Sequence, residues 1–441
     1  MVSLKRKRFN GMSNSLPPKQ SHYDIAVVGN SLAARLTAAL AAKKGCRVLT
    51  APAENEQPTA WFTSSLLLER ILDFLDGNSC RSSSLPFQLI TPKQRIDLHS
   101  HKPLADELRR ELPNSHHEVE KFLNQLFSLG EQIEEMLWDA GGLPVSSFAG
   151  RQKFRFRSFR GDVPFRVFKQ TLKENLAGFA DEAGRKLLST LFGGFSLTPP
   201  SHLTVAECAL IWSGLGRQTG VFPSGLDELL RHRAKQFHNT EADFSELKRI
   251  RISKAGKTQL LFANDRIVTA DHLVIADRDA AALCEQQSTP ANDHPHQTLL
   301  TAPLGNKLSN LLLQHVIIAG STPMRLTIEP CPAGQRGRIE TAPTDKENMV
   351  VVKYVEQKLA PLLPFIDLCP TLQEHPKTGV SIRTDNTRSL LNASNRILPG
   401  PGRQYFYAGR DIIPGIGTGG EVLVAVTLCD HLLRACKRPE L

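Results

Sequence analysis

The sequence predicts an α/β fold, a three-layer unit around a parallel sheet, interrupted along the chain by a second, α+β region. Three observations carry this. Residues 23–52 read as strand, glycine turn, Ala/Leu-rich helix and strand, the unit from which doubly wound sheets are built. Residues 404–434 return to the theme with strand QYFYAG, loop RDIIPGIGTGGE and helix VLVAVTLCDHLLRAC. Between these ends, strand-like and helical stretches alternate irregularly and without internal repeats, as an α+β layer would.

Composition narrows the class. At 41% apolar and 22% charged residues, the chain has the make-up of a globular protein with full-sized cores. It holds no run of apolar residues long enough to span a bilayer, and Lys5, Arg6, Lys7 and Arg8 have no apolar stretch behind them, unlike a secretory signal. A cytoplasmic placement is therefore expected, with peripheral membrane contact left open. The cysteines at 46, 80, 208, 284, 331, 369, 429 and 436 form no C-x-x-C pair, which argues against a zinc ribbon or a disulfide framework. Half of the +10 net charge sits in the first twenty residues. Residues 1–21 are expected to be a disordered basic tail, dispensable for stability and able to attract an anionic surface.

In the first unit, residues 24–28 carry a short β-branched apolar run, at 25–28, right for a central parallel strand. The following turn, Gly29-Asn30-Ser31-Leu32-Ala33-Ala34, stands where G-x-G-x-x-G would present backbone N–H groups to a pyrophosphate. Gly29 permits the sharp turn, Ser31 puts a hydroxymethyl group where the backbone should approach phosphate, and Ala34 nearly serves as the third glycine. The acid expected after the second strand, residues 46–51, is replaced by Pro52, with Glu54 two residues on. A βαβ unit that binds no ligand is the competing reading.

The periodicity then predicts a helix over 64–76, short strands over 88–90 and 95–98, and a long amphipathic helix over 116–140. His116 and His117 at its start face apart as helix neighbours, so no metal site is expected. Residues 153–157 alternate Lys, Phe, Arg, Phe, Arg, predicting a strand with one face in the core; single-stranded nucleic acid or a membrane surface would be the functional alternatives. Helices are expected over 168–179, 181–191 and 204–213, and a glycine–proline turn feeds another near 225–237. Strands follow over 246–252 and 258–262, two short strands over 266–276, a loop over 286–300, sheet over 310–319 and 324–328, and a helix over 345–363.

Four stretches in this order resemble the flavin-dependent amine oxidase superfamily, within it the phytoene desaturase and protoporphyrinogen oxidase branch. They are DIAVVGNSLAA; the turn Pro223-Ser224-Gly225-Leu226; residues 247–277, with Ile267-Val268-Thr269-Ala270-Asp271 leading into HLVI; and residues 405–422, similar to the closing motif G-D-x-x-x-P-G-x-G-x-x-G. Gly409, Pro414, Gly415, Gly417 and Gly420 fall in register with that motif. The resemblance spans residues 23–436. It implies a discontinuous Rossmann-like FAD-binding domain (22–76, 217–285 and 395–436) and an α+β substrate domain (77–216 and 286–394). It places FAD against Gly29, Asn30, Ser31, Leu32, Ala33, Ala34, Gly225, Leu247, Gly409, Arg410, Asp411, Gly415, Gly417, Thr418 and Gly420. Arg410 stands where the family has an acid, with Asp411 one place later; an arginine cannot accept a ribityl hydrogen bond but could pair with pyrophosphate.

Two function classes follow, with a third behind them. The resemblance implies an FAD-dependent oxidoreductase that takes a hydride from a small apolar substrate, the cofactor carrying the chemistry. The alternative is a non-redox member of the fold acting as a binding or partner module. Nucleic-acid binding rests on the net charge and residues 152–168 and is not expected as a partner role. Ile317, Ile318, Leu362, Leu363, Phe365 and Ile366 fit either an oily ligand or core packing.

Overall fold

The computed structural model describes residues 22–53, 65–76, 81–83, 86–98, 103–144, 148–160, 163–217, 219–221, 223–237, 239–253, 257–263, 265–284, 298–305, 312–320, 322–332, 334–342, 348–361, 370–372, 390–399, 405–413, 415–439 and 441. The basic tail, Glu54, residues 362–366 and Pro414 lie outside the described residues.

The protein is an α/β molecule built on two sheets. In the first, strand His22–Val28 lies between Val48–Ala51 and Ile267–Ile275, parallel to both. Thr240–Glu241 extends the sheet beyond Val48–Ala51, and Phe406–Tyr407 pairs in parallel with the end of Ile267–Ile275. With both neighbours in place and layers on both faces, Ile25, Ala26 and Val28 have no exposed surface; a central strand therefore needs apolar side chains on both faces, which is why residues 25–28 read as an unbroken run, while Asp24 before it pairs with Arg47. Leu247–Ile252 and Thr258–Phe262 form an antiparallel arm attached to the first half of Ile267–Ile275.

Helix Leu32–Lys43 is buried nearly all round, with Arg35 its half-exposed exception before Lys43. Its alanines are the reason: small side chains at 33, 34, 38, 39, 41 and 42 let it pack against the sheet and against helix Thr418–Ala435. Helix Pro223–Gln236 packs alongside it, tied by an Arg35–Asp227 ion pair of 3.0 Å.

The second sheet runs Thr371–Leu372, Thr298–Gly305, Gly334–Thr341, Met324–Cys331, His315–Ile318, Phe87–Ile90, Arg95–Leu98. Helix Asn348–Leu359 covers one face, where Val351, Val355 and Leu359 join Leu300, Val316, Leu326 and Ile339 in a separate core. Helix Glu182–Ser196 meets the sheet at Ile317, which belongs to the first core, whereas Ile318 belongs to the second. Adjacent strand residues face opposite sides, so these two isoleucines are core packing on two faces. Helix His116–Asp139 packs against Val205–Gly216 as the most intimate helix pair.

Several expected elements differ. Residues 153–157 are not a strand; Phe148–Arg160 is a helix, followed by a short 3-10 turn at Phe165–Phe168. The alternation misled because only Phe154 of its phenylalanines is buried, while Phe156 and Phe159 are exposed. Residues 266–276 form one strand rather than two, Thr298–Gly305 begins inside the expected loop, and Gly334–Thr341 was not expected at all. The last strand carries Arg338 and Glu340, both buried; Glu340 pairs with Arg338 at 3.0 Å and with Arg325. Two arginines around one carboxylate hold Glu340 below its usual range despite its burial.

Candidate functional site

The two glycine turns meet at the C-terminal ends of the parallel strands, the end at which open α/β sheets place their ligands. Gly29 leaves strand His22–Val28 with φ +97°. A side chain there would be strained by this backbone and would also press on Asp277, whose Cγ lies 2.8 Å from an ideal Cβ position. From Ala408, whose N–H donates to Ile275 O at 2.8 Å, the chain turns through Gly409, Arg410, Asp411, Ile412 and Ile413 into the helix that opens at Thr418.

The N-terminus of helix Leu32–Lys43 points into this junction, and the protein's own oxygens take two of its donors and that of Asn30 just before it. Asn30 N–H donates to Asp277 Oδ2 at 2.8 Å, Leu32 N–H to Glu421 Oε2 at 2.8 Å, and Ala34 N–H to Ser31 Oγ at 3.1 Å. Ser31, fully buried, also donates its hydroxyl to Ala408 O at 2.6 Å, joining the two turns directly. Arg410 answers Glu421, with Nε 3.3 Å from Oε1. The Asn30 side chain is held by Arg35, whose Nη1 donates to Oδ1 at 2.8 Å.

Helix N-termini attract anions through these exposed N–H groups and the helix dipole. Here two carboxylates fill the role internally. Asp277 also caps the short helix Arg278–Ala282 through Ala280 N–H at 2.8 Å. Burial pushes its carboxyl above the ordinary aspartate range, and the two backbone donors restrain that rise.

The resemblance places FAD here, and its pyrophosphate would need the donors that Asp277 and Glu421 hold. It would also sit beside both carboxylates. At an effective dielectric of about 20, each like-charge pair roughly 5 Å apart costs on the order of 3 kcal/mol, and Arg410 offsets part of one such pair. Pro52 stands at the end of strand Val48–Ala51 where the ribose acid is expected, and Glu54 lies outside the described residues. With these partners in place, a dinucleotide would have to displace two carboxylates or lie against them.

Of the sequence-predicted site residues, Gly29, Asn30, Ser31, Leu32, Ala33 and Ala34 and Gly409, Arg410, Asp411, Gly415, Gly417, Thr418 and Gly420 lie on the two turns and the helix starts that follow them. Gly415 faces Ser196 and Thr198, and Gly420 lies so close to Ile413 that a Cβ would stand 2.7 Å from its carbonyl oxygen. Asp411 and Ile412 give their carbonyls to Arg396, the former at 2.8 Å. Gly225 lies in the first turn of helix Pro223–Gln236. Leu247 is elsewhere. It pairs with Phe262 beyond the start of Ile267–Ile275, at the opposite end of that strand from Asp277.

Asp277 and Glu421 were missed. Both left a signal: an aspartate directly after a strand and three residues before an Ala run is an N-cap pattern, and Glu421 is the lone acid entering the apolar run VLVAV. Among the described residues no cluster of His, Cys, Asp or Glu could hold a metal, and no helix is long and apolar enough to cross a membrane.

No family model and no curated relative matches the chain. Solved structures do. Cyclohexylamine oxidase from Brevibacterium oxydans superposes with a TM-score of 0.52 at 15% identity, over 94% of this chain and 100% of that one. A putrescine oxidase redesigned at its cofactor site gives 0.55 at 12% identity, over 94% and 99%. An oxidoreductase from Methanosarcina mazei gives 0.56 at 14%, over 92% and 99%. The chain has the amine oxidase fold. At these identities the likeness concerns architecture, so the site must be read from its own residues.

Proposed function

We propose that this protein uses the amine oxidase fold as a binding or partner module and keeps no dinucleotide in its glycine cradle. The observation that carries this is the pair of backbone donors, Asn30 and Leu32 N–H, taken by the carboxylates of Asp277 and Glu421. A carboxylate on a helix N-terminus substitutes for a bound anion. Ser31 completes the closure by binding the second turn instead of leaving space for phosphate.

The second reading is an FAD-dependent oxidoreductase that takes a hydride from an apolar substrate. What favours it is the shared fold, whose solved relatives include the amine oxidases named above, together with helix Thr418–Ala435, which begins at Gly417 with no side-chain cap. Both the amine oxidase and the desaturase branches remain within this reading. It requires Asp277 and Glu421 to release their donors.

The absorbance spectrum of freshly purified protein, repeated after incubation with excess FAD and desalting, separates the two. The binding-module reading expects no flavin bands in either sample. Bands that survive desalting would overturn it in favour of the oxidoreductase.

A further inference from the structure

Helix Phe148–Arg160, FAGRQKFRFRSFR, contains five Lys or Arg residues and no acid. Its inner face is well seated. Phe154, 4% exposed, meets Phe168 edge-on at 5.2 Å and Phe165 at 6.5 Å, and one turn later the buried Ser158 donates to Val163 O. That seating turns Phe156 and Phe159 outward, 57% and 83% exposed, two of the four large hydrophobic residues so exposed among the described residues.

On a helical wheel the two rings lie about 60° apart, with the exposed Gln152 between them one turn earlier, Arg155 on one flank and Arg160 and Lys153 on the other. An apolar stripe bordered by cations is the pattern of a helix lying in a lipid headgroup layer, where rings enter the acyl boundary and the long basic side chains reach back to phosphate. We propose that this helix docks the protein on an anionic phospholipid surface.

Single-stranded nucleic acid, the other partner for a basic-aromatic stretch, is read by open ring faces lining a groove. Here the Arg160 guanidinium lies over the Phe156 ring, 4.7 Å from its centroid, and the stripe is the convex side of a helix. Both features favour lipid. The proposal is independent of whether the glycine cradle holds a cofactor.

The test is flotation of the full chain with vesicles of phosphatidylcholine alone and with a third of phosphatidylglycerol. Binding is expected to the anionic vesicles only. Phe156→Ser/Phe159→Ser should weaken it by about tenfold or more, and Arg155→Gln/Arg160→Gln by about thirtyfold at low salt. All four side chains are exposed, so both variants should melt as the wild type does. No binding to anionic vesicles, or wild-type binding by the phenylalanine variant, would overturn the proposal. So would a single-stranded oligonucleotide that displaces the vesicles and loses its own affinity in the same variants.

Discussion

Glu421→Ala would remove the side chain on which the closed junction most depends. The Leu32 N–H would lose its buried acceptor, a loss of roughly 1–3 kcal/mol. Arg410, 14% exposed at its side chain, would lose its counter-charge; removing one partner of a fully buried pair costs about 3–5 kcal/mol, and partial exposure reduces this to roughly 1–2 kcal/mol. The expected total is about 2–5 kcal/mol of unfolding free energy. Glu421→Gln keeps an oxygen for Leu32 N–H and loses only the charge, so it should cost about 1–2 kcal/mol. Equilibrium urea unfolding, compared among the three proteins at matched slope, measures this directly. An alanine variant within about 0.5 kcal/mol of wild type would refute the reasoning, because that is the effect of an ordinary surface change.

Two further perturbations address the scaffold. Glu134 accepts Leu66 N–H at 2.9 Å, lies 3.7 Å from Arg217, and is pushed by burial from 4.5 up to about 7. The folded state therefore holds its proton more tightly than the unfolded chain, and ionisation costs stability, fully above about pH 7 and not at all below about pH 4.5. Glu134→Gln should raise stability at pH 8 by about 1–3 kcal/mol and flatten the decline between those limits; an unchanged pH slope would count against it. Gly130 packs its helix onto Val205–Gly216 so closely that a Cβ would stand 2.6 Å from Ser213 Cβ and would also strike the Ala209 carbonyl oxygen. Gly130→Ala should therefore cost about 3 kcal/mol or more by overpacking, seen as a fall in unfolding midpoint, and a neutral result would mean that the helices part easily.

The fold was largely legible because its central unit obeys local rules. A doubly covered strand must be apolar throughout, and an all-round buried helix must be small-chained and apolar; residues 25–28 satisfy the first and residues 32–42, Arg35 apart, the second. Gly334–Thr341 escaped notice because its buried positions include Arg338 and Glu340, polar groups made tolerable only by pairing across strands. Phe148–Arg160 was misread because Phe154 and Phe156 were assigned to a core that holds only the first of the two. For the site, the glycine turns stood in the sequence, but their closure did not. Ser31 meets Ala408 and Leu32 meets Glu421 across separations of 377 and 389 residues. Nothing local to residues 29–34 reveals that their donors are already taken.

Calorimetric titration of the full chain with FAD tests the central claim most directly. A closed cradle predicts no saturable heat in the wild type. It also predicts binding in Ser31→Gly/Asp277→Ala/Glu421→Ala, where the donors are returned and repulsion on the order of 3 kcal/mol per carboxylate is lifted, about a hundredfold gain for each. Stoichiometric, micromolar or tighter binding of FAD by the wild type would contradict the account.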